Sequence, residues 1–202
     1  MIKFPRRFLG FPAHKADIDA HMPNIWQTLR TGQYFVPGHT SLDASKAISA
    51  NTLYAHIIFL PRPMTFDTIK IATASGSAGN LRMGIYNADG TNLYPGTLKL
   101  DIGTVDTTAT EQDELVISGD VSLDAGLWWL AMVADATPTL RALGRGAWAP
   151  LGILDSDIRY FYAGWTSSFS YAALPDPFTA GGSLIAIGDD CPLMALKLKS
   201  LD

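Results

Sequence analysis

Four histidines, His14, His21, His39 and His56, are the residues best suited to hold a transition metal or to move a proton near neutral pH. Their spacing supports neither role, because no His-x-His pair and no His-Glu-x-x-His run occurs. His56 stands inside the apolar stretch Tyr54–Leu60, which predicts a packed histidine. His14 and His21 fall in a proline-broken N-terminal stretch and read as solvated or interfacial groups. Cys191 is the sole cysteine, so neither an intrachain disulfide nor a thiolate metal cluster can form. Asp189 and Asp190 precede it, and two carboxylates would raise the thiol pKa and blunt its nucleophilicity. A buried structural cysteine is expected.

Paired acids could cut a glycosidic bond if two carboxyls flanked a sugar cleft at roughly 5–10 Å. Asp155 with Asp157, and Asp189 with Asp190, are the candidates, and the same pairs could offer oxygens to Ca²⁺. Acids beside turns, however, usually cap the backbone or stay solvated. There is no Gly-x-Ser-x-Gly elbow, and Gly144-Arg145-Gly146 is too short for a nucleotide fingerprint. The sequence therefore assigns no catalytic residue, no cofactor and no metal ligand.

The distinctive patch is aromatic. Trp148, Tyr160, Tyr162, Trp165, Phe169 and Tyr171 crowd one Gly- and Pro-rich region. Such rings have flat apolar faces and polar edges, suited to sugar rings or protein partners. Three readings stand: core filling that covers an open end of the fold, a subunit interface, or glycan binding.

The elements that must position these residues are strands. Tyr54–Leu60, Phe66–Ile71, Leu81–Tyr86, Leu98–Ile102, Leu115–Ile117 and Leu127–Ala134 arrive in series, separated by turn signals such as Ser75–Gly79, Asn87–Gly90 and Asp124–Gly126. Ile69 and Ile71 share one side and Lys70 the other; Leu98, Leu100 and Ile102 alternate with Lys99 and Asp101. Leu127–Ala134 is apolar on both faces, which predicts a strand buried twice. Arg159–Ala163 gives a weaker strand, and Met194, Leu196 and Leu198 alternate with lysines in a closing one. No long helical pattern intervenes, so the expectation is an all-β antiparallel sandwich, jelly-roll-like, over residues 34–202. Residues 1–33 differ. Pro5, Pro12 and Pro23 break them, short helices are expected over Ala16–Ala20 and Asn24–Thr31, and Phe4, Phe8, Phe11 and Trp26 are expected to dock this N-terminal attachment arm.

Composition sets the outer bounds. The chain has 202 residues, 48% apolar and 17% charged, with 18 Gly and 12 Pro, which fits many short strands and turns and excludes a disordered chain. Its net charge of −4 argues against nucleic acid as a partner. No run approaches the ~20 apolar residues of a membrane helix. The basic start Met1–Arg7 lacks the apolar run of a secretion signal, so assembly in the bacterial cytoplasm is expected.

The order Leu53-Tyr54-Ala55, Pro63-Met64-Thr65-Phe66-Asp67-Thr68-Ile69, Leu81-Arg82-Met83-Gly84-Ile85-Tyr86, Pro95-Gly96-Thr97-Leu98, Asp101–Val105 and Leu123-Asp124-Ala125-Gly126-Leu127-Trp128-Trp129-Leu130-Ala131 resembles a sandwich module of tailed-phage tail, fibre and spike proteins. Gene transfer agents, which are phage-derived particles, carry similar modules. Carbohydrate-binding modules and tumour-necrosis-factor-like sandwiches share the general look. The resemblance implies a non-enzymatic virion structural protein, a head or tail spike or fibre component. Its partners would be other virion proteins and a host-surface glycan or a further fibre protein, and it would assemble as a homotrimer. Two alternatives remain open: a carbohydrate-binding module, or a polysaccharide-degrading spike enzyme.

Overall fold

A computed structural model describes residues 30–36, 44–110, 112–143, 153–154, 157–186 and 191–201. The expected N-terminal helices and the anchors Phe4, Phe8, Phe11 and Trp26 lie outside these residues. The exceptions are Arg30 and Thr31 at the end of the second expected helix, and neither is helical.

In chain order the strands are β1 (Tyr34–Phe35), β2 (Ala44–Ala47), β3 (Thr52–Leu60), β4 (Met64–Ser75), β5 (Asn80–Ala88), β6 (Pro95–Asp106), β7 (Gln112–Leu123), β8 (Gly126–Ala134), β9 (Thr139–Leu143), β10 (Ile153–Leu154), β11 (Asp157–Ser168), β12 (Ser183–Ala186), β13 (Cys191–Pro192) and β14 (Ala195–Leu201). They form two antiparallel sheets. Sheet one runs β1-β14-β4-β9-β13, with β2 on β9 and β7 on β4; sheet two runs β10-β11-β3-β8-β5-β6, with β12 on β11. The chain is all-β and folds as the expected sandwich. It changes sheet at most connections, but β1–β2 and β13–β14 stay within sheet one, and β5–β6, β10–β11 and β11–β12 within sheet two.

Alternation explains the core. Tyr54, Ile58 and Leu60 of β3, Leu81, Met83 and Ile85 of β5, and Leu130, Met132 and Ala134 of β8 point toward sheet one. There they meet Phe66, Ile69 and Ile71 of β4 and Leu196 and Leu198 of β14. Lys70 takes the opposite side of β4, where it pairs with Glu114 at 2.7 Å and lies over the Tyr34 ring. Burial of this apolar surface drives the stacking, at roughly 25 cal/mol per Å² removed from water.

Two readings of the strands need correction. Leu98, Leu100 and Ile102 do not share a face: Leu98 packs on the outside of sheet two, whereas Leu100 and Ile102 face the interior. The cause is bulging. Ile85 pairs Leu100 but Tyr86 pairs Leu98, so Lys99 is skipped and the side-chain phase inverts. The strand seen at Leu115–Ile117 is also far longer, because β7 continues to Leu123. Between Thr68↔Val116 and Phe66↔Val121 its partner register jumps, and Gly119 and Asp120 take φ of 80° and 55°. That kink interrupts the alternation on which the sequence reading depended.

The second apolar layer lies outside sheet two. Leu53, Ala55 and Ile57 of β3, Tyr86 of β5, and Trp129, Ala131 and Val133 of β8 face away from sheet one, yet all are buried. Leu174 and Phe178, from the long β11–β12 connection 169–182, cover them. The doubly apolar β8 is thus buried twice, with Trp129 under this loop and not between the sheets.

Candidate binding surface

The loop 169–182 is tied down along its length. Tyr171 N donates to Asn51 Oδ1 at 2.8 Å, and Phe169 N to Asn51 O at 3.1 Å. Leu174 N donates to Asp101 Oδ2 at 3.0 Å, and the same carboxylate takes Arg82 Nε on both oxygens at 2.8 and 2.9 Å. Tyr86 Oη donates to Pro175 O at 2.7 Å, Leu98 N to Asp176 Oδ1 at 3.0 Å, and Phe178 N to Gly96 O at 2.9 Å. The Tyr86 and Phe178 rings meet edge to face with centroids 5.0 Å apart. Gly84 lets the loop sit this low: a Cβ there would strike the Leu174 side chain and lie 2.6 Å from Leu100 O. Burial pushes the Tyr86 hydroxyl well above the usual tyrosine pKa, so it stays a donor.

A second loop, 89–94 between β5 and β6, folds over the same face. Asp89 shapes it, with Oδ1 accepting from Asn92 N at 2.6 Å and Thr91 N at 3.0 Å, while Asp89 N donates to Tyr94 O at 2.8 Å. These amides, Asn92 first, hold the exposed Asp89 carboxyl below its ordinary pKa. The Asp-Gly cue marked this turn correctly, but the loop is longer than a two-residue hairpin turn. Trp129 Nε1, buried beneath, donates to Leu93 O at 2.9 Å and fixes the loop's height.

The two loops meet at an aromatic pair. The Tyr94 ring lies 4.5 Å, centroid to centroid, from Trp165 of β11 with planes at 35°, and Trp165 Nε1 donates to Gly181 O at 3.3 Å. Tyr94 is 39% exposed and its neighbour Leu93 44%. Phe59, 45% exposed, follows Ile57 on the same side of β3. The result is a rim of large apolar groups on a face otherwise sealed.

The aromatic residues singled out by the sequence separate here. Trp165, Phe169 and Tyr171 pack, half-buried, against the layer outside sheet two. Tyr162, two positions before Gly164, is half-buried on β11, and Tyr160 lies on the same strand without a described side chain. Trp148 lies outside the described residues. Among those with described side chains, Trp165 is the one whose ring meets exposed Tyr94 at the rim. Sequence reasoning missed Phe59, Leu93 and Tyr94; the signal was two large apolar residues, Leu93-Tyr94, inside a turn that begins Asp-Gly.

The candidates for chemistry are placed as follows. His56 is buried, and Nε2 accepts from Met194 N at 2.9 Å. Burial pulls its pKa down to about 4, so the ring is neutral. Cys191 is also fully buried, and burial pushes its thiol up to about 12. Burial keeps the thiol protonated and unreactive at neutral pH. Asp155, Asp189 and Asp190 lie outside the described residues, as does the side chain of Asp157. Among the described residues no group of three or more His, Cys, Asp or Glu is placed to hold a metal.

No family model and no curated protein matches the sequence. Matches come from solved structures. A structure of the clostridial cysteine protease Cwp84 after propeptide cleavage aligns with a TM-score of 0.50 and 10% identity, covering 86% of this chain and 42% of that one. A second, of the cysteine protease and lectin-like domains of Cwp84, a surface layer associated protein of Clostridium difficile, aligns with a TM-score of 0.47 and 9% identity, covering 74% and 33%. This chain spans less than half of either, and the likeness is one of fold.

Proposed function

We propose that this chain is a non-enzymatic carbohydrate-binding β-sandwich whose ligand rests on the rim formed by Tyr94 and Trp165. One observation carries the reading: two large rings far apart in sequence, exposed Tyr94 from loop 89–94 and half-buried Trp165 from β11, are held together at the rim of a face that the rest of the fold seals. A pyranose ring offers a flat apolar face of C–H bonds to such a surface, and its hydroxyls suit the polar edges of tyrosine and tryptophan. The Trp165 ring is held by its bond to Gly181 O, and the loop bearing Tyr94 by Trp129 Nε1 on Leu93 O, so little conformational freedom is lost on binding. The lectin-like domains named for Cwp84 agree with this choice of ligand, although the argument rests on the rings. The sandwich itself does not separate a virion part from other bearers of this architecture.

A glycan array followed by titration of the best neutral oligosaccharide, reading the Trp165 indole N–H resonance, tests the proposal. Binding should perturb that resonance, and Tyr94→Ala should weaken affinity about tenfold, or ~1.4 kcal/mol, with the fold intact. An array without binding, or binding that ignores Tyr94→Ala, overturns it.

A further inference from the structure

One polar tie crosses the interior. His56 sits on β3 in sheet two, and its Nε2 accepts the backbone N–H of Met194, in the link between β13 and β14 of sheet one. Because the amide donates, the neutral ring carries its proton on Nδ1. The group is sealed from solvent. Its strand neighbours, Leu130 on β8 and Gly164 on β11, carry no charge. From sheet one it meets Met194, and nearby Cys191 is a neutral thiol whose sulfur lies 3.9 Å from Ala55 O. Lys46 of β2 is the charge felt at Cys191; Asp189 and Asp190 lie outside the described residues.

The element held by this tie is weak on its own. β13 has two residues and pairs only through Cys191↔Leu143 and Pro192↔Ala142, with Leu193 N donating to Arg141 O at 3.0 Å just after it. β14, by contrast, is registered along β4 from Lys70 to Met64. Gly164 gives the Cys191 sulfur its room, since a Cβ there would strike it.

We infer that His56 and the Met194 amide form a proton-operated latch: protonation of the imidazole releases β13 and opens Cys191 to solvent while the two sheets stay folded. The step is a single proton transfer from solvent to Nε2. The Met194 N–H loses its acceptor, and a cation appears where no charged group among the described residues acts on it. Opening hydrates the cation and frees the amide for water, which is the least costly relief because β13 has the fewest bonds to break. Lowered affinity of the closed form for a proton appears as a lowered pKa, and that is the direction burial imposes here.

Cys191, as the sole cysteine, reports the opening without interference. Its labelling by dithiodipyridine, which reacts with thiols in acid, should be followed from pH 7 to pH 4. The rate is normalised to that of a free peptide thiol at each pH, with circular dichroism recorded in parallel. The normalised rate should rise on the order of a hundredfold with the strand spectrum unchanged. His56→Gln keeps an acceptor for Met194 without titrating and should give a flat profile. Where that variant does not fold, hydrogen exchange in the unaltered protein decides: protection at the Met194 amide must fall with pH before protection at Leu196. A flat rate in the unaltered chain, an equal rise in His56→Gln, loss of the strand spectrum in step with labelling, or joint loss of protection at Met194 and Leu196 each overturns the latch.

Discussion

Trp129 shows how a residue's worth depends on which layer covers it. It is buried on the outer side of sheet two, and its indole N–H supports the loop that carries Tyr94. Trp129→Ala should cost about 3–5 kcal/mol in urea unfolding, through the cavity left beneath the covering loop. It should also abolish the indole response of Trp165 to ligand, because Leu93 loses its tether. His56 sets the acid side of stability. Its folded pKa of about 4 lies below the ordinary 6.5, so the neutral form is the folded form. Its contribution is complete above about pH 6.5 and is lost as pH falls toward 4, up to roughly 3 kcal/mol. Denaturant midpoints at pH 7 and pH 4, compared with those of His56→Gln, check the sign; equal losses in both proteins would refute it. The buried character of His56 and Cys191 was legible from their types and, for His56, from its apolar run. The cause of the thiol's high pKa was not, because the residues that bury it are distant in sequence.

The strands were legible where alternation ran unbroken, as in β5, or where an apolar run stood between turn signals, as in β3 and β8. They were misjudged where a bulge reset the phase. β6 loses its period at Lys99, and β7 at Gly119 and Asp120, where Asp120 pairs with Lys199 of β14. β2, Ala-Ser-Lys-Ala, has too little apolar contrast to show a period, and β9 begins directly after Pro138. A kinked β7 makes a poor template for pairing with another chain, which is how sheet edges commonly avoid association. Gly119→Ala meets open space, so its cost is conformational alone, about 1 kcal/mol by denaturant unfolding. Gly84→Ala meets the Leu100 carbonyl and should cost clearly more. The loop 169–182 makes a separate prediction. Asp101→Ala strands Arg82 and frees the Leu174 amide, so limited proteolysis should cut within 169–182 faster than in the unaltered chain.

For the molecule as a whole, a two-sheet body with a third apolar layer was only partly foreseeable. Two-faced apolarity in β8 announced double burial, but not that a loop, in place of a sheet or a second subunit, would provide the cover. The aromatic cluster was visible in the sequence as composition; that Trp165 meets exposed Tyr94 follows from chain paths that no local pattern encodes. Light scattering bears on the two broad readings of the molecule. A carbohydrate-binding sandwich of this kind should run at the mass of one chain, whereas a stable trimer would return the particle-component reading suggested by the stretch from Tyr54 to Val133.

Trp129 grips position 93 by its main-chain oxygen and makes no demand on the side chain there. Loop 89–94 is therefore fixed in place by the Asp89 carboxylate and a main-chain oxygen, and its other side chains are free in spelling. Ligand preference can drift, or be engineered, by rewriting a few letters of that loop, while the load on the folded body stays the same.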